Sequence, residues 1–233
     1  MKKLTLQAIT ALAIVALSAI QSLANVVGYV NRTFLPGDNL FANPLVASPN
    51  NNLATIIPTA PEGATVSLWN PGTLSFDTTS TFEWNYETYT LAWSANFLLN
   101  PGTGARLNTP SSFVNTFVGE ARSHNGGSVA DPLTLPPPYA GPNGIFLLGD
   151  KAPVASSGND IFLNILGRNP NVGEQVITLT TTSTYLGAGA WDVLPTMAVS
   201  DAVFLNVEPV PEPSVAALGM LGLAALRFAR RRA

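Results

Sequence analysis

The chain has 233 residues, enough for one large all-β domain or two small ones, and it contains no cysteine and a single histidine, His124. This composition excludes disulfides and thiolate metal sites and leaves too few ligands for zinc, so we expect no metal and no cofactor. The 14 acidic residues all fall between Asp38 and Glu212, where only five of the 11 basic residues lie, so the acidic body disfavours nucleic-acid binding.

The first 24 residues predict a secretory signal peptide. Lys2 and Lys3 form its charged start, a mostly apolar run follows from Leu4 to Ile20, and small residues end the segment at Ala24. We therefore expect signal peptidase to cleave after Ala24. The alternative is an uncleaved membrane anchor, which the polar interruptions of the run and the good cleavage site disfavour.

Residues 25–122 form a first predicted β module, because short β-type runs alternate there with Asn-Pro and Pro-Gly turn signals. The expected strands are Val26–Phe34, Thr65–Trp69, Ser75–Trp84, Thr88–Trp93, Ala105–Asn108 and Phe113–Glu120. The third and fourth of these make a predicted hairpin around Asn85, Tyr86 and Glu87. A single helical turn is expected at Asn52–Ile57.

A segment rich in glycine and proline, residues 123–140, separates the first module from a second predicted β module at residues 141–209. In this second module Val176–Thr184 is the clearest predicted strand, and Ala202–Val207 is the last. A second helical turn is expected at Asp160–Leu166. Such a linker is stiff and extended, yet modules of this size bury only modest cores, so we expect the two modules to pack together.

The two modules carry a weak internal repeat. Two dipeptides recur at a constant offset of 98 residues; they are Ala92-Trp93 with Ala190-Trp191, and Leu107-Asn108 with Leu205-Asn206. Leu40-Phe41 matches Ile145-Phe146 at an offset of 105, and the apolar residues of the two helical turns match at an offset of 109. We therefore expect a mainly β fold made of two related antiparallel modules, sandwich- or barrel-like, with short helical turns.

The tail, residues 210–233, combines three features in order. Pro211-Glu212-Pro213 precedes the uncharged apolar run Ser214–Leu226, and an arginine cluster follows, made of Arg227, Arg230, Arg231 and Arg232. The apolar run gives roughly 20 Å of helix against a hydrocarbon core of about 30 Å, so a transmembrane helix requires the first arginines to reach toward the cytoplasmic face. Arginines after the span place the C-terminus in the cytoplasm and the body outside.

This tail, beside a signal peptide, resembles the PEP-CTERM sorting signal of exported bacterial proteins. The resemblance covers the tail only. It implies a transient inner-membrane anchor, recognition by an exosortase-like membrane enzyme, cleavage near Pro-Glu-Pro, and delivery of the body to the cell envelope or the extracellular space. Such proteins often belong to bacteria that make extracellular polysaccharide, which is a further expected partner. The alternative, a C-terminal anchor that is never cleaved, has the same topology.

No catalytic constellation is evident. His124 lies in a loop context without a nucleophile elbow. Glu83 and Glu87 form a carboxylate pair of the kind that hydrolyses glycosides, but strand alternation favours a hairpin with one aromatic face in the core and its acids in solvent. The aromatic side chains beside these acids are the candidates for glycan contact; they are Trp84, Tyr86, Tyr89 and Trp93.

The sequence thus favours a non-enzymatic, exported envelope or matrix protein. A carbohydrate-binding or adhesive surface module is the alternative, and a secreted hydrolase with an unrecognised site is the third hypothesis.

Overall fold

The computed structural model describes residues 27–121 and 144–207. The predicted signal peptide with Ala24, the linker with His124 and the sorting tail lie outside these residues. The described residues are mainly β: they form 14 strands in antiparallel pairs and two short helices, which confirms the predicted class. Neither of these helices is long and apolar enough to span a membrane.

The first described part contains seven strands and one helical turn. In chain order these are β1 (Val27–Phe34), β2 (Gly37–Ala42), α1 (Leu53–Ile56), β3 (Thr65–Asn70), β4 (Ser75–Asn85), β5 (Thr90–Trp93), β6 (Gly104–Thr109) and β7 (Phe113–Glu120). Five strands form one sheet in the order β2-β6-β3-β4-β5, and β1 pairs with β7 in a separate ribbon. Every strand expected in this part is present, and so are the helical turn and the β4–β5 hairpin.

The second described part also contains seven strands and one helix. In chain order these are β8 (Ile145–Gly149), β9 (Ser156–Ser157), α2 (Asn159–Leu166), β10 (Gln175–Ile177), β11 (Thr182–Gly187), β12 (Ala190–Trp191), β13 (Thr196–Met197) and β14 (Ala202–Asn206). Five strands form a sheet in the order β8-β14-β10-β11-β12, and β9 pairs with β13.

The prediction of one strand at Val176–Thr184 is wrong, because the chain turns in its middle. The N–H of Thr178 donates to the carbonyl oxygen of Thr181 (2.9 Å), and the Thr178 hydroxyl oxygen accepts the N–H groups of Thr180 (3.2 Å) and Thr181 (3.0 Å). A threonine side chain therefore closes this turn without glycine or proline, whose absence made the run look continuous.

The two five-stranded sheets have the same strand order. Counted from one edge, β2 corresponds to β8, β6 to β14, β3 to β10, β4 to β11 and β5 to β12, and a helix follows the first strand in both halves. Leu107 of β6 pairs with Asn39, whereas Leu205 of β14 pairs with Phe146. The first strands therefore correspond at an offset of 107 residues, not the 105 that the sequence suggested. A slip of two residues keeps every side chain on its face, so the apolar pattern alone cannot detect it.

Each sheet packs against its own helix. In the first core Leu53 and Ile56 of α1 are buried beneath the sheet, and the β1–β7 ribbon covers the same core with Phe34 and Phe117. In the second core the α2 residues Ile161, Phe162 and Ile165 are fully buried.

The two sheets meet at their first strands and exchange equivalent hydrogen bonds. The N–H of Ala42 donates to the carbonyl oxygen of Ser200 (2.9 Å), and the N–H of Gly149 donates to the carbonyl oxygen of Gly102 (3.0 Å). These two bonds correspond under the offsets of 107 and 98 residues, so each half gives the other the same contact. Leu40 and its counterpart Leu147 are buried together in a small third cluster at this junction.

Candidate functional site

The β4–β5 hairpin projects the predicted aromatic residues from the edge of the first sheet. Its loop runs from Tyr86 to Tyr89, and the side-chain oxygen of Asn85 accepts the N–H groups of Glu87 (2.8 Å) and Thr88 (3.1 Å). Tyr89 adopts a left-handed backbone conformation, with φ at 53°, and this returns the chain into β5. The asparagine thus fixes the loop on which the tyrosines stand.

Trp93 is a core residue and not a ligand contact. Its side chain is 8% exposed, its ring lies 5.1 Å from that of Phe82, and its indole N–H donates to the carbonyl oxygen of Ile57 (2.7 Å). The structure therefore corrects the prediction that Trp93 contacts glycan, because a buried indole with a satisfied donor presents no face to a ligand.

The other three candidates are exposed. Tyr86 and Tyr89 are 81% and 75% exposed, and Trp84 is 43% exposed opposite Leu91, which is 40% exposed. Trp84 and Leu91 follow the buried pair Phe82 and Trp93 on the same face of the hairpin. The expected aromatic face is therefore in the core only at its base, and the hairpin carries it beyond the edge of the core. We call Trp84, Tyr86, Tyr89 and Leu91 the aromatic tip.

The two candidate carboxylates, Glu83 and Glu87, are exposed, as expected. Glu83 pairs with Ala92 and lies on the face of the hairpin opposite Trp84. Within the described parts of the chain no three histidine or acidic side chains are grouped so as to hold a metal ion.

The second sheet shows that the aromatic tip is an extension of the shared fold. Phe82 of β4 corresponds to Tyr185 of β11: the N–H of Phe82 donates to Ala64 (2.8 Å), and the N–H of Tyr185 donates to Glu174 (2.9 Å). Phe82 pairs with Trp93 across ten intervening residues, whereas Tyr185 pairs with Trp191 across only five. The short hairpin closes tightly through residues 187–189, and the longer one adds the exposed aromatic residues.

One signal in the sequence marks this correspondence and was missed above. Residues 78–81 read Thr-Thr-Ser-Thr and precede Phe82, and residues 181–184 read the same and precede Tyr185. Their offset of 103 residues is the one that aligns β4 with β11. With Trp93 and Trp191 already matched, this tetrapeptide would have predicted the longer first hairpin.

No family model matches this chain, and searches of curated proteins and of solved structures find no significant match. The resemblance of the tail to PEP-CTERM signals therefore stays a prediction from the residues that carry it.

Proposed function

We propose that this is a non-enzymatic exported protein of the cell envelope or extracellular matrix, sorted and cleaved through its tail. The observation that carries the proposal is the ordered tail, with Pro211-Glu212-Pro213, an apolar run and the terminal arginines, at the opposite end from a signal peptide. The body is then a duplicated β module, a reading that the common strand order of the two sheets supports.

The proposal is tested by mass spectrometry of the protein produced in a bacterium that contains an exosortase. We expect a mature chain that starts at Asn25 and ends near Pro-Glu-Pro, in the envelope or the medium. Pro211→Ala should retain the tail and stay in the membrane fraction, whereas Pro209→Ala, a proline just outside the tripeptide, should be processed normally. A mature wild-type chain that still ends at Ala233 in the membrane would reject processing.

A second candidate function, a carbohydrate-binding or adhesive surface module, is favoured by the aromatic tip. The duplicated fold closes with a short hairpin in one half, so the extra residues of the other half are not needed for folding. Exposed indole and phenol rings stack on the C–H faces of sugars, and exposed apolar patches of this kind usually mark interaction sites.

The second function is tested by electrophoresis of the full-length protein, kept soluble with mild detergent, through gels that contain dissolved polysaccharide. Retardation that decreases in Trp84→Ala would support binding at the tip. Tyr29→Ala is the matched control, because Tyr29 is a 73% exposed aromatic residue on β1, away from the hairpin. Equal mobility of wild type and Trp84→Ala in every gel would contradict this function.

A further inference from the structure

The face of the hairpin that carries Trp84 is uncharged. Trp84 and Leu91 are cross-strand partners on this face, and Glu83, the nearest acid in the strand, points to the other side. The whole hairpin from Glu83 to Ala92 contains no lysine or arginine. A ligand on this face therefore meets ring surfaces and no cation that could neutralise an acid group.

The basic side chains elsewhere in the described residues do not supply such a cation. Arg32 is paired with Asp201 (2.9 Å) and Arg168 with Glu174 (2.6 Å). Arg106 stacks over an aromatic ring, with its guanidinium carbon 4.2 Å from the ring centroid. Since acidic residues also outnumber basic ones in the body, an approaching polyanion meets repulsion and no complementary patch.

We propose that the aromatic tip binds an uncharged polysaccharide and discriminates against acidic ones. This inference rests on the carbohydrate-binding function proposed above and specifies its ligand class. Stacking on a ring face needs only the C–H groups of a sugar, which every hexose presents, whereas a uronic acid adds a charge that the tip cannot satisfy.

The geometry favours a polymer over a free monosaccharide. The tip lies on a projecting hairpin with its tyrosines almost fully exposed, so it offers an extended contact line and not an enclosing cavity. Successive same-face positions on a strand are about 7 Å apart, so rings at the level of Trp84 and of the loop can contact neighbouring sugars of one chain. Several weak stacking contacts then add along a polymer, which a single sugar cannot achieve.

The test compares three soluble probes in affinity gels with the full-length protein in mild detergent: hydroxyethyl cellulose as the neutral polymer, alginate as the polyuronate and chitosan as the polyamine. We expect retardation by the neutral polymer, little effect of raising the salt concentration, and no retardation by alginate. Trp84→Ala should weaken the neutral interaction about tenfold, equivalent to about 1.4 kcal/mol. Tyr29→Ala and Glu83→Gln should bind like wild type.

The outcomes separate the two proposals. Retardation by alginate that Trp84→Ala abolishes would overturn the preference for uncharged sugars while leaving carbohydrate binding at the tip intact. Retardation by chitosan alone, undiminished in Trp84→Ala, would reveal charge attraction by an acidic protein and would contradict both proposals. The absence of any retardation would also contradict both.

Discussion

At the scale of single residues, Arg32 is the side chain that contacts most parts of the molecule. It extends from β1 and donates to the carbonyl oxygens of Leu40 (2.7 Å) and Ser200, and it pairs with Asp201 at 2.9 Å. Its guanidinium group also lies over the ring of Phe34, 5.0 Å from the centroid. Burial lowers the pKa of Arg32, and the charge of Asp201 opposes this shift. One buried cation therefore joins the ribbon, the first sheet and the second half.

We predict that Arg32→Met lowers the free energy of unfolding by about 1–3 kcal/mol, since it leaves two carbonyl oxygens without their donor. The loss stays moderate because Asp201 is 38% exposed and can be solvated. Urea denaturation measures the change. Asp201→Asn, which keeps the arginine and its carbonyl contacts, is the control and should cost less. An unfolding midpoint for Arg32→Met equal to that of wild type would contradict this role.

Asp192 gives a prediction about pH, because its counterpart in the first half is uncharged. One carboxylate oxygen of Asp192 accepts the N–H groups of Thr184 and Val193, both at 2.6 Å, and the hydroxyl of Ser94 accepts the N–H of Thr81 at 2.9 Å. The bond from Thr184 is the main reason why the pKa of Asp192 lies below its usual value. A carboxyl whose pKa falls on folding stabilises the protein above its unfolded pKa of about 3.9 and loses this effect as pH falls through the folded pKa.

We therefore predict that Asp192→Ser, which installs the side chain of the first half, makes stability less dependent on pH in the acid range below about pH 4. Thermal unfolding of wild type and variant across that range measures the difference. Ser94→Ala is the control, since a hydroxyl does not titrate there and its loss should shift the unfolding temperature equally at every pH. Parallel pH profiles for wild type and Asp192→Ser would count against the prediction.

Residue-level exposure was predictable only in part. Strand alternation places Phe82, Trp84, Leu91 and Trp93 on one face of the hairpin, and the structure agrees. Alternation does not say where along a face the core ends. That boundary depends on which elements lie beneath the strand, and here Trp93 reaches the end of α1 through the carbonyl group of Ile57 while Trp84 extends past it. This is why two tryptophans of one motif have opposite roles.

At the scale of elements, the contact between β2 and β8 shows how the two halves differ where they meet. A Cβ atom on Gly149 would lie 2.3 Å from the Cβ of Ala42 and 2.7 Å from the carbonyl oxygen of Asp201. Ala42 and Gly149 are counterparts at the offset of 107 residues. The junction thus has space for one methyl group, and the two halves carry different residues there because both cannot be alanine.

Gly149→Ala is predicted to destabilise the protein by about 1–3 kcal/mol, because the close neighbours include backbone that cannot move away cheaply. Gly28→Ala on β1 is the matched control. A Cβ atom there would meet its nearest atom, on Leu45, at the ordinary contact distance of 3.9 Å. Denaturation midpoints of the two variants test the contrast, and equal midpoints would show that the junction is looser than its geometry implies.

The elements themselves follow from local chemistry wherever that chemistry is strong. Turns with Asn-Pro and Pro-Gly signals separate the strands of the first half correctly, and both helices form where apolar residues recur at helical spacing. The error at Val176–Thr184 arose because a threonine hydroxyl replaces these signals. The strand order could not be read from local patterns, since the pairing of β6 with both β2 and β3 joins residues far apart in the chain.

At the scale of the whole molecule, the two halves share more than reciprocal backbone bonds. Trp69 of the first sheet donates its indole N–H to the carbonyl oxygen of Ile145 (2.9 Å), and its ring lies 4.8 Å from that of Phe204 in an edge-to-face contact. Leu40 and Leu147 are buried in the same junction. Neither half has a large core of its own, so separating them would expose apolar surface that each needs for stability.

We accordingly predict that both halves unfold in one cooperative transition. Differential scanning calorimetry should give equal calorimetric and van't Hoff enthalpies for the wild-type protein. Trp69→Ala removes the indole bond and the contact with Phe204, so it should lower the transition temperature and, if the remaining contacts no longer couple the halves, divide the transition into two. Trp84→Ala is the matched control: it deletes a tryptophan of the same sheet, but from the exposed tip, and should leave the transition single and nearly unshifted. Two separate transitions already in the wild type would mean that the junction holds two independently stable modules together, in which case the free energy of each half comes from its own sheet and helix alone.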